Sequence, residues 1–149
     1  GRRYSGKCSG KSIVIVVDTG PIVALFDKED DNYRICREVF KGIRQTLITT
    51  WPVVTEAFHL LGFSTTVQDD LWEFIERGTV TIYDLDKALR RTCRDMMKQY
   101  RDIPMDLADA SIVALSDKEN IRTIFTLDKD FKVYRTKDKK HFKLLPREF

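Results

Sequence analysis

The chain is poor in the two side chains that most often bind transition metals. It has only two histidines, His59 and His141, and three scattered cysteines, Cys8, Cys36 and Cys93, among its 149 residues. No Cys-x-x-Cys pair occurs and the histidines lie far apart, which argues against a tetrahedral zinc site. Because Cys36 and Cys93 fall within helical apolar patterns, we expect buried free thiols, as is typical of proteins in the reducing cytoplasm.

Long apolar runs and a large excess of one charge are also absent. No hydrophobic stretch approaches the roughly 20 residues of a membrane span, no secretory signal is apparent, and we expect no membrane contact. The formal net charge is only +3, which does not by itself indicate a nucleic-acid partner. The length suits a single domain, which we expect over residues 12–149, after a flexible basic tail or cloning remnant at residues 1–11.

The most informative run is a series of five apolar β-branched residues that ends at an aspartate. Residues 13–17 read Ile-Val-Ile-Val-Val, and Asp18 follows them directly. An unbroken run of this kind predicts a strand buried on both faces, as in a parallel sheet. Ligands of open α/β sheets bind at the carboxyl ends of the strands, so Asp18 lies where a binding site is expected.

Strand-like and helix-like segments alternate along the rest of the chain. Further short strands are predicted at 47–50, 80–82, 123–125 and, at an edge of the sheet, 144–145. The helices between them include a short one at 22–26, one opened by Trp51 and Pro52, a long one capped by Asp84, and one that runs from Asp106. This alternation predicts one α/β domain with a parallel sheet covered by helices on both faces.

Four carboxylates occupy positions that a core does not require. Asp18 ends the first strand, and Asp128 follows the fourth. Glu56 is expected in the first turn of the helix after the second strand, and Asp109 in the first turn of the helix before the fourth. Because the carboxyl ends of parallel strands share one edge, we expect Asp18 and Asp128 there, with Glu56 pointing back to them. The placement of Asp109 depends on where its helix begins.

Most of these acids also have an ordinary structural explanation. Carboxylates in first helical turns favour the positive end of the helix dipole, typically by about 0.3–1 kcal/mol, which would account for Glu56 and Asp109. Asp106 suits a helix N-cap, and Asp128 suits a turn. No such explanation covers Asp18, which precedes Thr-Gly-Pro.

Four carboxylates gathered at one edge would repel one another. A pair about 5 Å apart costs about 3 kcal/mol at an effective dielectric of about 20, so a cation is needed to offset the repulsion. Ligands that are all oxygen suit Mg²⁺ or Mn²⁺, ions that activate water and stabilise in-line displacement at phosphorus. Thr19 and Thr126 lie close to these acids in the sequence and could fix a carboxylate or bind water.

Four segments resemble, in order and spacing, the motifs of the PIN domain family. They are Asp-Thr-Gly-Pro at 18–21 with the apolar stretch 22–26, Thr-Glu at 55–56, Asp-Leu-Ala-Asp-Ala-Ser-Ile-Val-Ala at 106–114, and Thr-Leu-Asp-Lys-Asp-Phe at 126–131. The resemblance covers residues 13–131, nearly the whole globular part of the chain.

The resemblance implies a three-layer α/β/α fold with a central parallel sheet of about five strands. It also implies a metal-dependent endoribonuclease that cleaves single-stranded RNA with Mg²⁺ or Mn²⁺, often as a homodimer. Many small members are VapC-type toxins neutralised by an antitoxin protein. By position, the catalytic and metal-binding residues are Asp18, Glu56, Asp109 and Asp128, and the secondary candidates are Asp106, Asp130, Thr19 and Thr126.

Basic residues are concentrated towards the end of the chain. From residue 129 onwards, eight Lys or Arg residues accompany three acids. Such a segment beside an acidic site is suited to guide phosphates, and it would otherwise be an ordinary solvated surface. The candidates for RNA contact are Lys129, Lys132, Lys137, Lys139 and Lys140. Arg90, Arg91 and Arg94 on the long helix could extend this patch or form its exposed face.

Other classes of protein also place an aspartate at the end of the first strand. Phosphatases of the haloacid dehalogenase type need a second Asp two residues later, where this chain has Gly20. Receiver domains need an acidic pair after the first strand, which Asp18 lacks. A PIN fold retained as an inactive module that binds nucleic acid or protein remains the main alternative, and the presence of all four acids argues against it.

Overall fold

The computed structural model describes residues 14–147, so Cys8 and the expected tail at residues 1–11 lie outside the described residues. Within this range, strands and helices alternate as the sequence predicts. Their bounds are β1 Val14–Val17, α1 Thr19–Phe26, α2 Tyr33–Gly42, β2 Thr46–Thr50, α3 Trp51–Leu60, α4 Thr65–Glu76, β3 Val80–Tyr83, α5 Lys87–Gln99, α6 Leu107–Lys118, β4 Thr123–Phe125, a short 3₁₀ helix at Lys129–Lys132, and β5 Lys143–Leu145.

The five strands form one parallel sheet in the order β3-β2-β1-β4-β5. The β-branched run of β1 lies at its centre, and all four strand residues are buried. The strand at 144–145 is confirmed as an edge strand, in which Leu144 pairs with Ile124 of β4. Because β1 is central, its carboxyl end opens between two neighbouring strands, the position at which parallel sheets bind ligands.

Helices cover the sheet on both faces, which confirms the three-layer α/β/α fold. From β1, the chain adds β2 and then β3 on one side of β1. It then crosses to the other side of β1, where β4 lies. Right-handed crossovers therefore place α1–α4 on one face and α5 and α6 on the other, consistent with the contacts of α1 with α2, α3 and α4 and of α5 with α6. The two layers meet where α3 contacts α6, and there Thr50 Oγ1 and Ser111 Oγ share a hydrogen bond of 2.6 Å.

Two expected helix starts were wrong. The short helix predicted at 22–26 begins at Thr19, because Asp18 is in the extended N-cap conformation and Pro21 is tolerated in a first turn. The long helix α5 is capped by Asp86 instead of Asp84, and the Asp86 side chain accepts a hydrogen bond of 2.9 Å from the Leu89 amide. The cap of α6 is Asp106, as predicted.

One continuous hydrophobic core joins the sheet to both helical layers. Cys36 and Cys93 are buried free thiols within it, as expected. None of the helices between residues 14 and 147 is long and apolar enough to cross a membrane. The sheet and its two layers therefore form a rigid platform for the side chains at the carboxyl ends of the strands.

Candidate active site

Asp18 lies at the carboxyl end of the central strand. Its amide donates to the Phe125 carbonyl of β4 at 2.8 Å, which extends the sheet pairing by one residue. Its side chain is only 6% exposed, and its Oδ2 accepts a hydrogen bond of 2.8 Å from Thr126 Oγ1. Burial raises the pKa of Asp18 to about 6, and the charges of Asp128 and Glu56 add to the rise, although the Thr126 hydroxyl opposes it.

The loop after β4 is held in place by a chain of hydrogen bonds. The Asp130 amide donates to Asp128 Oδ1 at 2.9 Å, and the Asp128 amide donates to Thr126 Oγ1 at 3.0 Å. Thr126 Oγ1 donates in turn to Asp18. Burial and then the neighbouring Asp128 raise the pKa of Asp130. The loop therefore fixes Asp128 beside Asp18 through local turns that Asp and Thr side chains favour.

Asp109 lies in the first turn of α6, as expected, because Asp106 caps this helix. Asp106 Oδ1 accepts a hydrogen bond of 2.8 Å from the Asp109 amide. The Asp109 side chain is 8% exposed, and its Oδ2 accepts a hydrogen bond of 3.1 Å from the Tyr134 hydroxyl. Burial raises the pKa of Asp109 to about 7, with further contributions from Asp106, Asp18 and Asp128.

Glu56 approaches the same cluster from α3. Its expected place in the first turn was wrong: α3 begins at Trp51, so Glu56 lies in the second turn. The side chain is half-buried, and burial, followed by the charges of Asp106 and Asp128, raises its pKa. The expected direction of the side chain therefore agrees with the structure, since these acids lie at the carboxyl edge of the sheet.

The structure thus brings five acids within electrostatic reach of one another: Asp18, Glu56, Asp106, Asp109 and Asp128. Within residues 14–147, no three of these side chains lie close enough together to hold a metal ion. Their ligand atoms are all oxygen, which suits a hard divalent cation. In addition, the buried Thr19 Oγ1 beside Asp18 has no hydrogen-bond partner in the described structure, so an oxygen ligand remains available there.

The predicted RNA-binding lysines do not lie together. Lys129 and Lys132 belong to the 3₁₀ helix that directly follows Asp128. By contrast, the Lys137 amide donates to Asp117 Oδ1 at 3.0 Å, near the carboxyl end of α6. Eight residues of helix separate Asp117 from Asp109, a rise of about 12 Å. The loop that carries Lys137, Lys139 and Lys140 is therefore anchored at the opposite end of α6 from the acids.

Sequence reasoning missed the contribution of Tyr134. This residue is fully buried, and its ring makes edge contacts with Phe131 and Tyr100 at centroid distances of 5.1 and 5.0 Å. These contacts aim its hydroxyl at Asp109, and burial and the Asp109 charge raise the pKa of Tyr134. The only signal in the sequence is an aromatic residue three positions after Phe131, which by itself indicates packing.

Comparison with known proteins identifies the family. The PIN domain model matches residues 15–137. Ribonuclease VapC26 of Mycobacterium tuberculosis is 26% identical over 125 residues, which cover 77% of this chain and 87% of that protein.

Among solved structures, Mycobacterium tuberculosis VapC20, described as a Sarcin-Ricin loop cleaving toxin, has a TM-score of 0.74 and 17% identity. The match covers 80% of this chain and 93% of VapC20. VapBC2 from Rickettsia felis, bound to a DNA fragment from their promoter, has a TM-score of 0.62 and 18% identity and covers 89% of this chain and 98% of that one. These likenesses show the fold, and the model match confirms the resemblance of the four motifs: the chain belongs to the PIN domain family.

Proposed function

We propose that this protein is a metal-dependent endoribonuclease that cleaves single-stranded RNA and acts as the toxin of a toxin-antitoxin pair. The observation that carries the proposal is the cluster of Asp18, Glu56, Asp109 and Asp128 at one edge of the sheet. Two of these carboxyls are buried with raised pKa values, an arrangement that marks functional sites more often than structural ones. The similarity to a protein named Ribonuclease VapC26 supports the same reaction.

The cluster fits a divalent cation in its chemistry. Repulsion among the carboxylates is relieved by positive charge, and the oxygen-only donor set suits Mg²⁺ or Mn²⁺. We propose Asp18, Asp109, Asp128 and Glu56 as the residues that would hold the ion, with their side chains drawn closer together than the structure places them. The partnerless Thr19 hydroxyl would be a further oxygen donor. When bound, such an ion polarises phosphoryl oxygen and lowers the pKa of water.

The protein itself contributes orientation and shielding from water. Thr126 fixes one oxygen of Asp18, and Tyr134 fixes one oxygen of Asp109. These hydrogen bonds hold each carboxylate in one orientation, and both carboxylates are nearly excluded from solvent. We propose that Lys129 and Lys132, which follow Asp128, hold the phosphates of the RNA near these acids.

We also propose an antitoxin protein as the partner, a homodimer as the assembly, and the cytoplasm as the compartment. These proposals rest on the family resemblance and on the VapC-type relatives. The description of VapC20 as a toxin and of VapBC2 as bound to promoter DNA supports a toxin-antitoxin context.

The proposal is tested with purified protein and a mixed pool of RNA. We expect cleavage with Mn²⁺ or Mg²⁺ and none in excess EDTA. Asp18→Asn should slow cleavage at least about 100-fold, because it removes a charged ligand of the ion. Asp69→Asn, the same chemical change on the exposed side of α4, serves as the matched control and should cleave normally.

Cleavage that persists in EDTA, or an Asp18→Asn variant as active as the parent, would refute the nuclease proposal. RNA binding without cleavage under any metal condition would instead support the inactive binding module.

A further inference from the structure

A groove of about 520 Å³ is lined by one side of α5 and by the first residue of α6. Its floor is apolar and includes Cys93, Met97 and Leu107. Leu107 is 49% exposed and belongs to this apolar lining. The groove is thus an apolar surface that solvent does not favour and that the protein itself does not fill.

The rim of this groove is positively charged. Arg90, Arg94, Lys98 and Arg101 line it, and no acid does. The spacing of four residues between Arg90, Arg94 and Lys98 places them on one side of α5, over a rise of about 12 Å, and Arg101 follows just beyond the helix end. The guanidinium of Arg90 donates to the Leu85 carbonyl at 2.9 Å. Arg94, Lys98 and Arg101 make no salt bridge within residues 14–147, so their charges are available to a ligand.

One end of the groove lies at the end of α6 that carries Asp106 and Asp109. Leu107 is the first residue of α6, directly after Asp106 and two residues before Asp109. Arg101 follows the end of α5 at this same side, since α5 and α6 pack against each other and Asp86 at the start of α5 pairs with Lys118 at the end of α6. The cationic row therefore leads towards the start of α6, the end of this helix that carries Asp106 and Asp109, whereas the Lys137 loop lies at its far end.

We propose that this groove binds the RNA strand next to the point of cleavage. Phosphates lie along Arg94, Lys98 and Arg101, and unstacked bases rest on the aliphatic floor and the guanidinium planes. Unpaired bases stack on guanidinium planes, whereas a duplex keeps its bases stacked on one another and out of reach. An acidic protein segment would also match the charges, but RNA is the occupant that also needs to reach the proposed catalytic acids at the start of α6. The inference rests on the proposed function and adds its substrate-binding surface.

The test compares two variants that lose the same charge. One is Arg94→Gln/Lys98→Gln/Arg101→Gln, and the other is Lys137→Gln/Lys139→Gln/Lys140→Gln. Binding of a short fluorescein-labelled single-stranded RNA is measured by anisotropy in EDTA, over a range of salt concentrations. We expect the α5 variant to bind at least about tenfold more weakly, and its slope of log affinity against log salt to fall by about 2, since each lost phosphate contact on a single strand contributes about 0.7. The control variant should change much less.

A third variant, Met97→Ser, tests the floor of the groove without a change of charge. Met97 is half-buried beside the rim. We expect weaker binding of the single strand with the salt slope unchanged, because lost base contacts do not release counterions. Binding of a blunt RNA duplex should not respond to this variant. Thermal melts of all three variants check that each is folded.

Unchanged affinity in the α5 variant would overturn the inference and leave the groove as a docking surface for an acidic protein segment. An equal loss in both triple variants would also overturn it, because the effect would then follow net charge instead of position. Cleavage of the same RNA is measured separately after Mn²⁺ is added. A parent protein that binds through α5 but never cleaves would refute the nuclease proposal alone.

Discussion

Replacement of Asp109 by Asn should stabilise the metal-free protein. Asp109 is 8% exposed, and burial together with Asp106, Asp18 and Asp128 raises its pKa from 3.8 to about 7. The ionised carboxylate is therefore unfavourable in the folded state. Asn removes the charge but keeps a carbonyl oxygen, which can still accept the hydrogen bond from Tyr134.

The size of the effect follows from the pKa rise. A rise from 3.8 to about 7 corresponds to a destabilisation of about 4 kcal/mol above pH 7. Two effects reduce the gain in the variant. Asp18 and Asp109 repel each other, so the two titrations are shared, and loss of a negative charge from the first turn of α6 costs up to about 1 kcal/mol. We expect a net gain of about 1–3 kcal/mol, and each 1 kcal/mol shifts Tm by about 2–4 °C.

The stability advantage of Asp109→Asn should grow as the pH rises. The folded state binds the proton of Asp109 more tightly than the unfolded state does. The contribution of Asp109 to the stability of the parent is therefore most favourable below pH 3.8, and it is lost as the pH rises to about 7. Thermal melts in EDTA should therefore show the largest advantage of Asp109→Asn near about pH 8 and roughly half of it or less near about pH 5. Asp95→Asn, on the exposed face of α5, is the matched control.

Mn²⁺ should reduce the stability advantage of Asp109→Asn over the parent. A ligand that binds only the folded state stabilises it by mass action, and the parent offers one carboxylate more than the variant. We therefore expect Mn²⁺ to raise the Tm of the parent more than that of Asp109→Asn. If the variant melts below the parent in EDTA near about pH 8 and both respond equally to Mn²⁺, Asp109 only complements its helix dipole and does not belong to the site.

Two further predictions use matched pairs of variants. Tyr134→Phe removes the hydroxyl that donates to Asp109, and calorimetry should show Mn²⁺ binding weakened about tenfold. Tyr100→Phe loses only a hydrogen bond from a backbone amide and should bind Mn²⁺ normally. Equal Mn²⁺ affinities in the two variants would contradict this reasoning. Gly62→Ala should lower the free energy of unfolding by about 1–3 kcal/mol, because its Cβ would lie 3.0 Å from a backbone carbonyl oxygen of α3. Gly42→Ala, whose Cβ meets nothing within 4 Å, should be neutral or stabilising by up to about 1 kcal/mol in urea unfolding.

The fold was predictable because its main signals are local. The β-branched run of β1 and the alternation of strands and helices predict a parallel sheet, and the caps at Asp106 and Ser64 obey simple side-chain rules. The wrong cap of α5 shows the limit of these rules. Asp84 and Asp86 are both good caps by these rules, and in the structure Asp86 caps the helix and also pairs with Lys118 of α6, a long-range contact that local rules do not include.

The site was predictable to a smaller extent. The position of an acid at a strand end follows from topology, so Asp18 and Asp128 could be placed from the sequence. The pattern of charges groups Lys137, Lys139 and Lys140 with Lys129 as RNA contacts, because all four are close in sequence. The loop that carries the first three folds back to the end of α6, a long-range contact that no pattern of charges reveals. Tyr134 could not be found for the same reason: its hydroxyl meets an acid 25 residues away.

The bond between Thr126 and Asp18 also determines when the site can first exist. It joins residues 108 positions apart, and β1 pairs with β4 across nearly the same span. During synthesis, which adds about 5–20 residues per second, β1 leaves the ribosome before β4, and the carboxylate of Asp18 finds its partners only once β4 and the loop to Asp128 have emerged. A contact of such high sequence separation forms late. A nascent chain therefore carries no assembled cluster of acids until the segment through Asp128 has left the ribosome, and the ribosome that makes it does not meet the complete site before then.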